Sequence, residues 1–390
     1  MEGRRKSAPS IGGGRMSERH LYGGLEFSPT TRIRLSPFWP GVQAAGVSTA
    51  SIYNHVLFPC VFRSLEEDYR HLKNHVQLWD VSCQRQVELS GPDAALLARM
   101  IAPRDISALD VGQCCYVPAV DRGGKLLNDP VLIKLAEDRF WFSVADSDLI
   151  LFASGVAAGA GLAVRVHEPD VSPLAIQGPK AEQLMRGMFG EEISGLKFFR
   201  GRYIEFDGKN HLVTRSGYSK QGGFEIYVEG AEHGMPIWNA LMQAGAEFQL
   251  RAGGPNYIER VEGGLLSYGG DITSEHTPYE GGLEAYCDAE AAFDCLGRDA
   301  LLRELESGPK RQIRCLTFAG GKVPPCDHRW ELSVNGRFAG QVSAAVWSPE
   351  LGLNIGIGMV ESEFWDAGSE LCAELPGESR TVTVQAEFFN

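Results

Sequence analysis

Apolar and polar positions change period repeatedly along this chain, and the changes mark its elements. Ser64-Leu65-Glu66-Glu67 has the form of a capping box and predicts a helix through about Val76. Leu78–Ser82 and Gln86–Ser90 read as strands, and Gly91-Pro92 opens a helix over Asp93–Met100. Gln113–Val120 and Val131–Lys134 read as one hairpin, followed by a strand over Arg139–Ala145 and a helix over 147–158. Leu174–Gln177 predicts a strand, and Pro179–Phe189, Gly234–Ala244 and Pro255–Leu265 predict helices. From about Gly308 the texture changes. Ile313–Phe318, Trp330–Val334, Val342–Val346, Leu353–Gly358, Ser369–Ala373 and Thr381–Ala386 alternate at period two between Gly and Pro breaks, which predicts a small all-β barrel or sandwich. A helix around Asp299–Ser307 bridges the two parts. Residues 32–60, with Pro37, Pro40 and Pro59, show no period. Met1–Gly14 is polar and Gly/Arg-rich, which predicts a disordered lead without the apolar core of a secretory signal.

Composition narrows the functional classes. With 37 basic against 50 acidic residues the net charge is −13, which argues against a nucleic-acid or anionic-membrane partner. The longest apolar run, Leu149–Val164, is too short for a bilayer and is broken by Gly155, Gly159 and Gly161. The nine cysteines contain no CxxC pair, which points to reduced thiols in a cytoplasmic protein. No metal-binding spacing occurs, and the glycines of 155–161 do not follow a strand as a dinucleotide loop requires. The balance suits an enzyme acting on a small molecule.

One stretch carries candidate chemistry. His211–Thr214 and Phe224–Val228 read as strands flanking a loop with Gly217, Gly222 and Gly223. Glu225 begins the second strand beside backbone that lacks side chains and can be approached closely. Such a carboxylate can accept two N–H bonds from a planar guanidine-like edge, or it can be a solvated charge on an open strand face.

The ordered set of short motifs resembles the glycine-cleavage T-protein family of tetrahydrofolate-dependent one-carbon transferases. It comprises Trp79-Asp80-Val81-Ser82, Gly124-x-Leu126-Leu127-Asn128-Asp129, Gln177-Gly178-Pro179, Ser216-Gly217-Tyr218 with Gly223-Phe224-Glu225, Arg260-Val261-Glu262-Gly263-Gly264, Gly340-x-x-Ser343 and Trp347-Ser348-Pro349. Within that family the chain is similar to the dimethylsulfoniopropionate demethylases, through Tyr53-Asn54-His55, Glu66–Tyr69, Asn128-Asp129-Pro130, Ala145–Asp148 and Ser219–Gly223. The resemblance implies an α+β fold: a three-domain cloverleaf around a central folate channel, with a small C-terminal β-barrel. It places two interleaved α+β domains over 31–305 and the barrel over 306–390.

It also implies site roles. The pterin carboxylate falls on Glu225, with Tyr227, Ser143, Tyr116 and Tyr218 as further folate contacts. Asn128 and Asp129 stand where amine-handling relatives carry an Asp-Asp pair, so the loss of the first acid argues against glycine cleavage, as does Asn256 in place of an Arg. Tyr53, Tyr116 and Tyr218 are candidates for the donor's cationic end, Asn54 is a further substrate-binding candidate, and Arg215 and Lys220 are candidates for its carboxylate. The implied reaction moves a sulfonium methyl to tetrahydrofolate, with Asp129 or water taking the proton. The open alternatives are another donor (glycine betaine, an N-methylamine, a methoxyaromatic) or a non-enzymatic folate-binding assembly factor. No metal is expected, and a homodimer is left open.

Overall fold

A computed structural model describes residues 30–389; the lead expected before them lies outside the described residues. Two sheets organise the chain up to residue 308. The first has six strands in the spatial order Gly201–Phe206, Lys209–Thr214, Gly223–Glu229, Val171–Gln177, Gln77–Asp80 and Arg251–Gly253, antiparallel except for the last pair. The second has five, in the order Arg165–His167, Gln86–Ser90, Arg139–Ser143, Val131–Ala136 and Cys114–Tyr116, all antiparallel.

Period two sorts their faces. Phe224, Ile226 and Val228 enter a core with Leu184 and Met185 of helix Ala181–Phe189 and with Ile237, Trp238 and Leu241 of helix Gly234–Ala244. Leu132, Phe140 and Phe142 enter another core beneath helices Ala94–Ile101 and Leu149–Ala160. The residues between them in sequence face inward. Tyr227 and Leu212 of one sheet meet Cys114, Ile133, Leu135 and Trp141 of the other. Each sheet is therefore roofed by helices on its outside, and the two inner faces press together. The Trp141 ring lies 5.9 Å from Tyr227, and its Nε1 donates to Glu88 Oε2 at 2.7 Å.

Residues 311–384 form a closed six-stranded antiparallel barrel. Arg311–Phe318 pairs with both Leu353–Glu361 and Glu378–Val384, so no edge is left open. Its seam with the rest of the chain is polar. Ser343 Oγ donates to Asp271 Oδ1 at 2.6 Å, Ser348 Oγ donates to Glu262, and the Tyr69 hydroxyl lies 2.8 Å from both Glu262 Oε1 and Glu350 Oε2.

Three expectations change. The hairpin read over 113–134 is two pairings: Cys114–Tyr116 joins the five-stranded sheet, whereas Ala119–Val120 pairs separately with Leu126–Asn128. Pro118 lies at the break and has no N–H to continue a ladder. Thr49–Tyr53 and Val56–Val61, inside the stretch without period, form a two-stranded hairpin that accommodates Pro59 on a strand with only one neighbour. The helix expected over 255–265 is only Tyr257–Glu262. Asn256 Oδ1 caps it by accepting from the N–H groups of Ile258 and Glu259, and Gly263-Gly264 ends it. No helix among the described residues is long and apolar enough to cross a membrane, and none of the nine cysteines is bridged.

Because Trp141 fills the contact between the sheets, Trp141→Ala is expected to cost about 3–5 kcal/mol of unfolding free energy in urea titration. A loss below about 1 kcal/mol would mean the sheets are not held by this contact.

Candidate active site between the sheets and the barrel

The loop between strands Lys209–Thr214 and Gly223–Glu229 is fitted around Gln177. A Cβ at Gly217 would stand 2.0 Å from Gln177 Nε2, and one at Gly223 would stand 2.2 Å from the Ile176 carbonyl; both residues have φ near +150°. Only glycine suits either place. Gln177 Nε2 donates to Ser216 O at 3.1 Å, and its Oε1 accepts from Ser219 Oγ at 2.7 Å. Glu259 Oε1 accepts from the Lys220 N–H at 2.6 Å and ties down the loop's far side. Tyr218 is carried inward, and its hydroxyl donates to the carbonyls of Leu265 and Leu266 at 2.9 and 2.7 Å.

Just beyond this loop, Glu225 is 5 % exposed between the sheets. It lies opposite Thr214 and Ala175 on the neighbouring strands. Its Oε2 accepts from Ser216 Oγ and, at 3.4 Å, from the Tyr227 hydroxyl. Thr214 Oγ1 stands 2.6 Å behind Ser216 Oγ. Across the gap, Gln86 Nε2 donates to Ser143 Oγ at 3.0 Å, and Ser143 and Thr214 lower the Tyr227 hydroxyl against the rise that burial gives it. Burial pushes the Glu225 carboxyl up from its ordinary range, while Ser216 and Tyr227 pull it back. Both bonds land on Oε2, leaving Oε1 with its lone pairs.

A second carboxylate belongs to the other sheet. Val131 pairs with Ser143 on one side and with Tyr116 on the other, and Asp129 lies two residues before it. The Tyr116 hydroxyl donates to Asp129 Oδ2 at 2.7 Å. Asp129 Oδ1 is sealed from solvent and has no hydrogen-bond partner, although the residue as a whole is only half-buried. Burial raises this carboxyl to about 7; the Tyr116 bond and its own backbone lower it, and the field of Asp271 adds a further rise. The charge of Asp129 also raises the hydroxyls of Tyr53, Tyr116, Tyr218 and Tyr268, which come from four separate segments; of these Tyr116 touches it directly. Tyr286 meets the Tyr116 ring edge-on at 4.8 Å. Behind Tyr218, Arg260 pairs with Asp271 at 2.8 Å.

Three of the sequence candidates, Arg215, Asn128 and Asn54, stand differently from expectation. Arg215 is turned away: its guanidinium donates to Glu182 and to the carbonyls of Ser194 and Leu196 at 2.9–3.0 Å on the helix side of the sheet. Asn128, proposed beside Asp129 as a reacting group, is fully buried, and its amide is spent on both the N–H and the carbonyl of Ala145 and on Ser147. Asn54 is 4 % exposed, and its Nδ2 donates to the carbonyls of Cys83 and Ala145 at 3.0 and 2.8 Å, so it offers no donor to a ligand. Lys220 is exposed at the rim of the loop, its stem lying against Gly263. The sequence reading missed Ser216, Thr214, Gln86, Tyr268 and Tyr286. Alternation could have found Thr214, which shares its strand face with Leu212. Tyr268 and Tyr286 lie in a stretch without period, where no such signal exists.

Two family models match: the GCVT N-terminal domain over residues 41–291 and the glycine cleavage T-protein C-terminal barrel domain over 311–389. The chain belongs to the glycine cleavage T-protein family. It is 52 % identical over 93 % of its length to the dimethylsulfoniopropionate demethylase DmdA of Ruegeria pomeroyi, covering 98 % of that protein. To the aminomethyltransferase of Bacillus subtilis it is 28 % identical, over 81 % of this chain and 88 % of that one. The crystal structure of aminomethyltransferase T from Bartonella henselae superposes with a TM-score of 0.80 at 25 % identity, over 92 % of this chain and all of that one. The T-protein fold, α+β with a closed C-terminal barrel, is thus the fold of this chain.

Asp129 makes this T-protein's stability fall with pH in a definite window. In the folded chain its carboxyl stays protonated up to about pH 7, whereas unfolded it ionises near 4. The unfolded chain holds fewer protons there between those values, so stability from this group declines as pH rises and levels off above 7. Asp129→Asn is expected to stabilise by at most about 4 kcal/mol at pH 8 and by little at pH 4, read from urea midpoints. Equal effects at both pH values would show an unperturbed carboxyl.

Proposed function

We propose that this chain is a tetrahydrofolate-dependent methyltransferase that demethylates dimethylsulfoniopropionate, yielding methylmercaptopropionate and 5-methyltetrahydrofolate. The observation that carries this reading is the 52 % identity to the R. pomeroyi demethylase across nearly the whole of both chains. The site supports it. Four tyrosines in the field of one carboxylate suit a small cation, since each ring face attracts positive charge by about 0.5–2 kcal/mol. A sulfonium departs as a neutral thioether, so its leaving group needs no acid.

The residues present also fit a reduced pterin. Glu225, with both of its bonds on Oε2, keeps Oε1 to accept the pterin's N–H edge, with Tyr227 beside it. Tetrahydrofolate, when bound, supplies a nucleophilic secondary amine as the methyl acceptor. Asp129 has the role of proton acceptor: its Oδ1 is unpartnered, shielded from solvent and close to neutral in affinity for a proton. Tyr116 holds the other oxygen and orients the group. Lys220, at the loop rim, would meet the donor's carboxylate. An aminomethyl donor is disfavoured because the amide of Asn128 is committed to Ala145 and Ser147. Nine unbridged thiols fit a reducing compartment such as the cytoplasm.

Incubation with tetrahydrofolate and dimethylsulfoniopropionate is expected to give 5-methyltetrahydrofolate and methylmercaptopropionate in equal amounts. Turnover of glycine betaine but not of the sulfonium would replace the donor, and folate binding without methyl transfer would remove the enzyme reading. Glu225→Gln should weaken tetrahydrofolate binding about tenfold or more, about 1.4 kcal/mol, by calorimetry. The rate should rise with pH through about 7, and Tyr116→Phe should move that midpoint upward, because the lost bond stabilised the ionised carboxylate. An unmoved profile would take Asp129 out of the reaction.

A further inference from the structure

The backbone of one residue, Ala145, receives two asparagine side chains from distant parts of the chain. Its carbonyl accepts from Asn54 Nδ2 at 2.8 Å and from Asn128 Nδ2 at 2.9 Å, and its N–H donates to Asn128 Oδ1 at 2.8 Å. Asn54 opens the turn of the hairpin over residues 49–61; it and His55 have φ of +51° and +65°, the paired left-handed turn that asparagine tolerates. The Asn54 backbone N–H also donates to Asp146 Oδ1 at 2.7 Å. Asn128 closes the short strand Leu126–Asn128, and its Nδ2 donates further to Ser147 Oγ, which in turn donates to the Leu127 carbonyl.

Each asparagine precedes or follows a residue of the site. Tyr53 comes immediately before Asn54, and Asp129 immediately after Asn128. Among the described residues the hairpin's further pairing is only the isolated bridge of Arg34 to Val56, and so short a ribbon holds its tip weakly by itself. The tip is anchored on the loop after strand Arg139–Ser143 by the Asn54 amide and backbone N–H. That loop is fixed to the strand before Asp129 by the Asn128 amide. The two attachments share one carbonyl.

We propose that Asn54 and Asn128 are positioning residues that act as a pair through the Ala145 carbonyl, setting Tyr53 of the hairpin against Asp129 of the sheet. This rests on the proposed reaction only in taking Tyr53 and Asp129 as the groups around the donor; the clamp itself is a matter of geometry. Loss of either amide frees the hairpin tip and admits water to Asp129. The groups that then face its carboxyl are the same as before, namely Tyr53, Tyr116, Tyr218, Tyr268 and the carboxylate of Asp271, but at altered distance and hydration.

The test uses the full chain and three variants: Asn54→Gly, which keeps the turn and removes the amide; Asn128→Ala; and the double variant. Circular dichroism confirms the fold of each. Asn54→Asp serves as a second probe, because its shape suits the turn while its charge opposes the carbonyls of Cys83 and Ala145. The first readout needs no turnover. Carbon-13 carboxyl NMR, assigned with Asp129→Asn, is expected to show Asp129 titrating near 7 in the parent and at least one pH unit lower in each variant. The second is kinetic: each single variant should lose about tenfold or more in kcat, and the double variant should be little worse than the poorer single, since both act on one carbonyl. An unchanged carboxyl titration in folded single variants, or losses that multiply in the double, would overturn the pairing. A parent chain without demethylase activity would defeat the proposed reaction, while the titration would still decide the clamp.

Discussion

Two carboxylates are taken out of water, and their hydrogen bonds come from neutral donors. That constraint shapes everything around them. A buried carboxylate loses several kcal/mol of hydration unless bonds or a counter-charge replace it. Glu225 is met by a serine and a tyrosine, Asp129 by a tyrosine on one oxygen only. The consequence is a pair of groups held closer to neutrality than their type would suggest, in a gap whose walls are aromatic. The guanidinium behind Tyr218, Arg260, is committed to Asp271, which also holds a barrel serine.

Two inward sheet faces supply the space. Along most of their contact they are filled by Trp141, Tyr227, Ile133 and Leu212, and at one end polar side chains replace apolar ones. The change occurs within single strands: Glu225 and Tyr227 share a face two residues apart. Strand geometry converts that sequence spacing into a dry wall continuing into a polar pocket. The glycines at 217 and 223 then let the next loop fold tightly over Gln177, so that Tyr218 arrives where a longer turn would have left an opening.

The barrel could be read from the chain because its alternation is strict and its turns carry Gly or Pro; each of the six runs overlaps one of its six strands, four of them lying wholly inside. Glu225 was legible for the same reason, with two glycines marking the strand's beginning. Arg215 misled because a cation in a glycine-flanked loop looks like a ligand handle. Strand parity could have warned against it, since Thr214 faces the gap and its neighbour must face away. The hairpin over 49–61 left little trace, as its first strand is exposed on both faces. The asparagines at 54 and 128 were recognised as notable and assigned to the wrong partners. Their amides bond to backbone carbonyls up to 91 positions away, and no local period encodes such reach.

The barrel touches the site through side chains that the barrel itself does not need. Ser343 and Ser348 turn outward to Asp271 and Glu262, and Glu350 reaches the Tyr69 hydroxyl. A barrel transplanted from a distant homologue could keep every ladder and still leave two carboxylates of the host stranded. Recombination between relatives would therefore cross this boundary safely only when both sides of the seam travel together, which makes the barrel a heritable companion of the pocket rather than an interchangeable module.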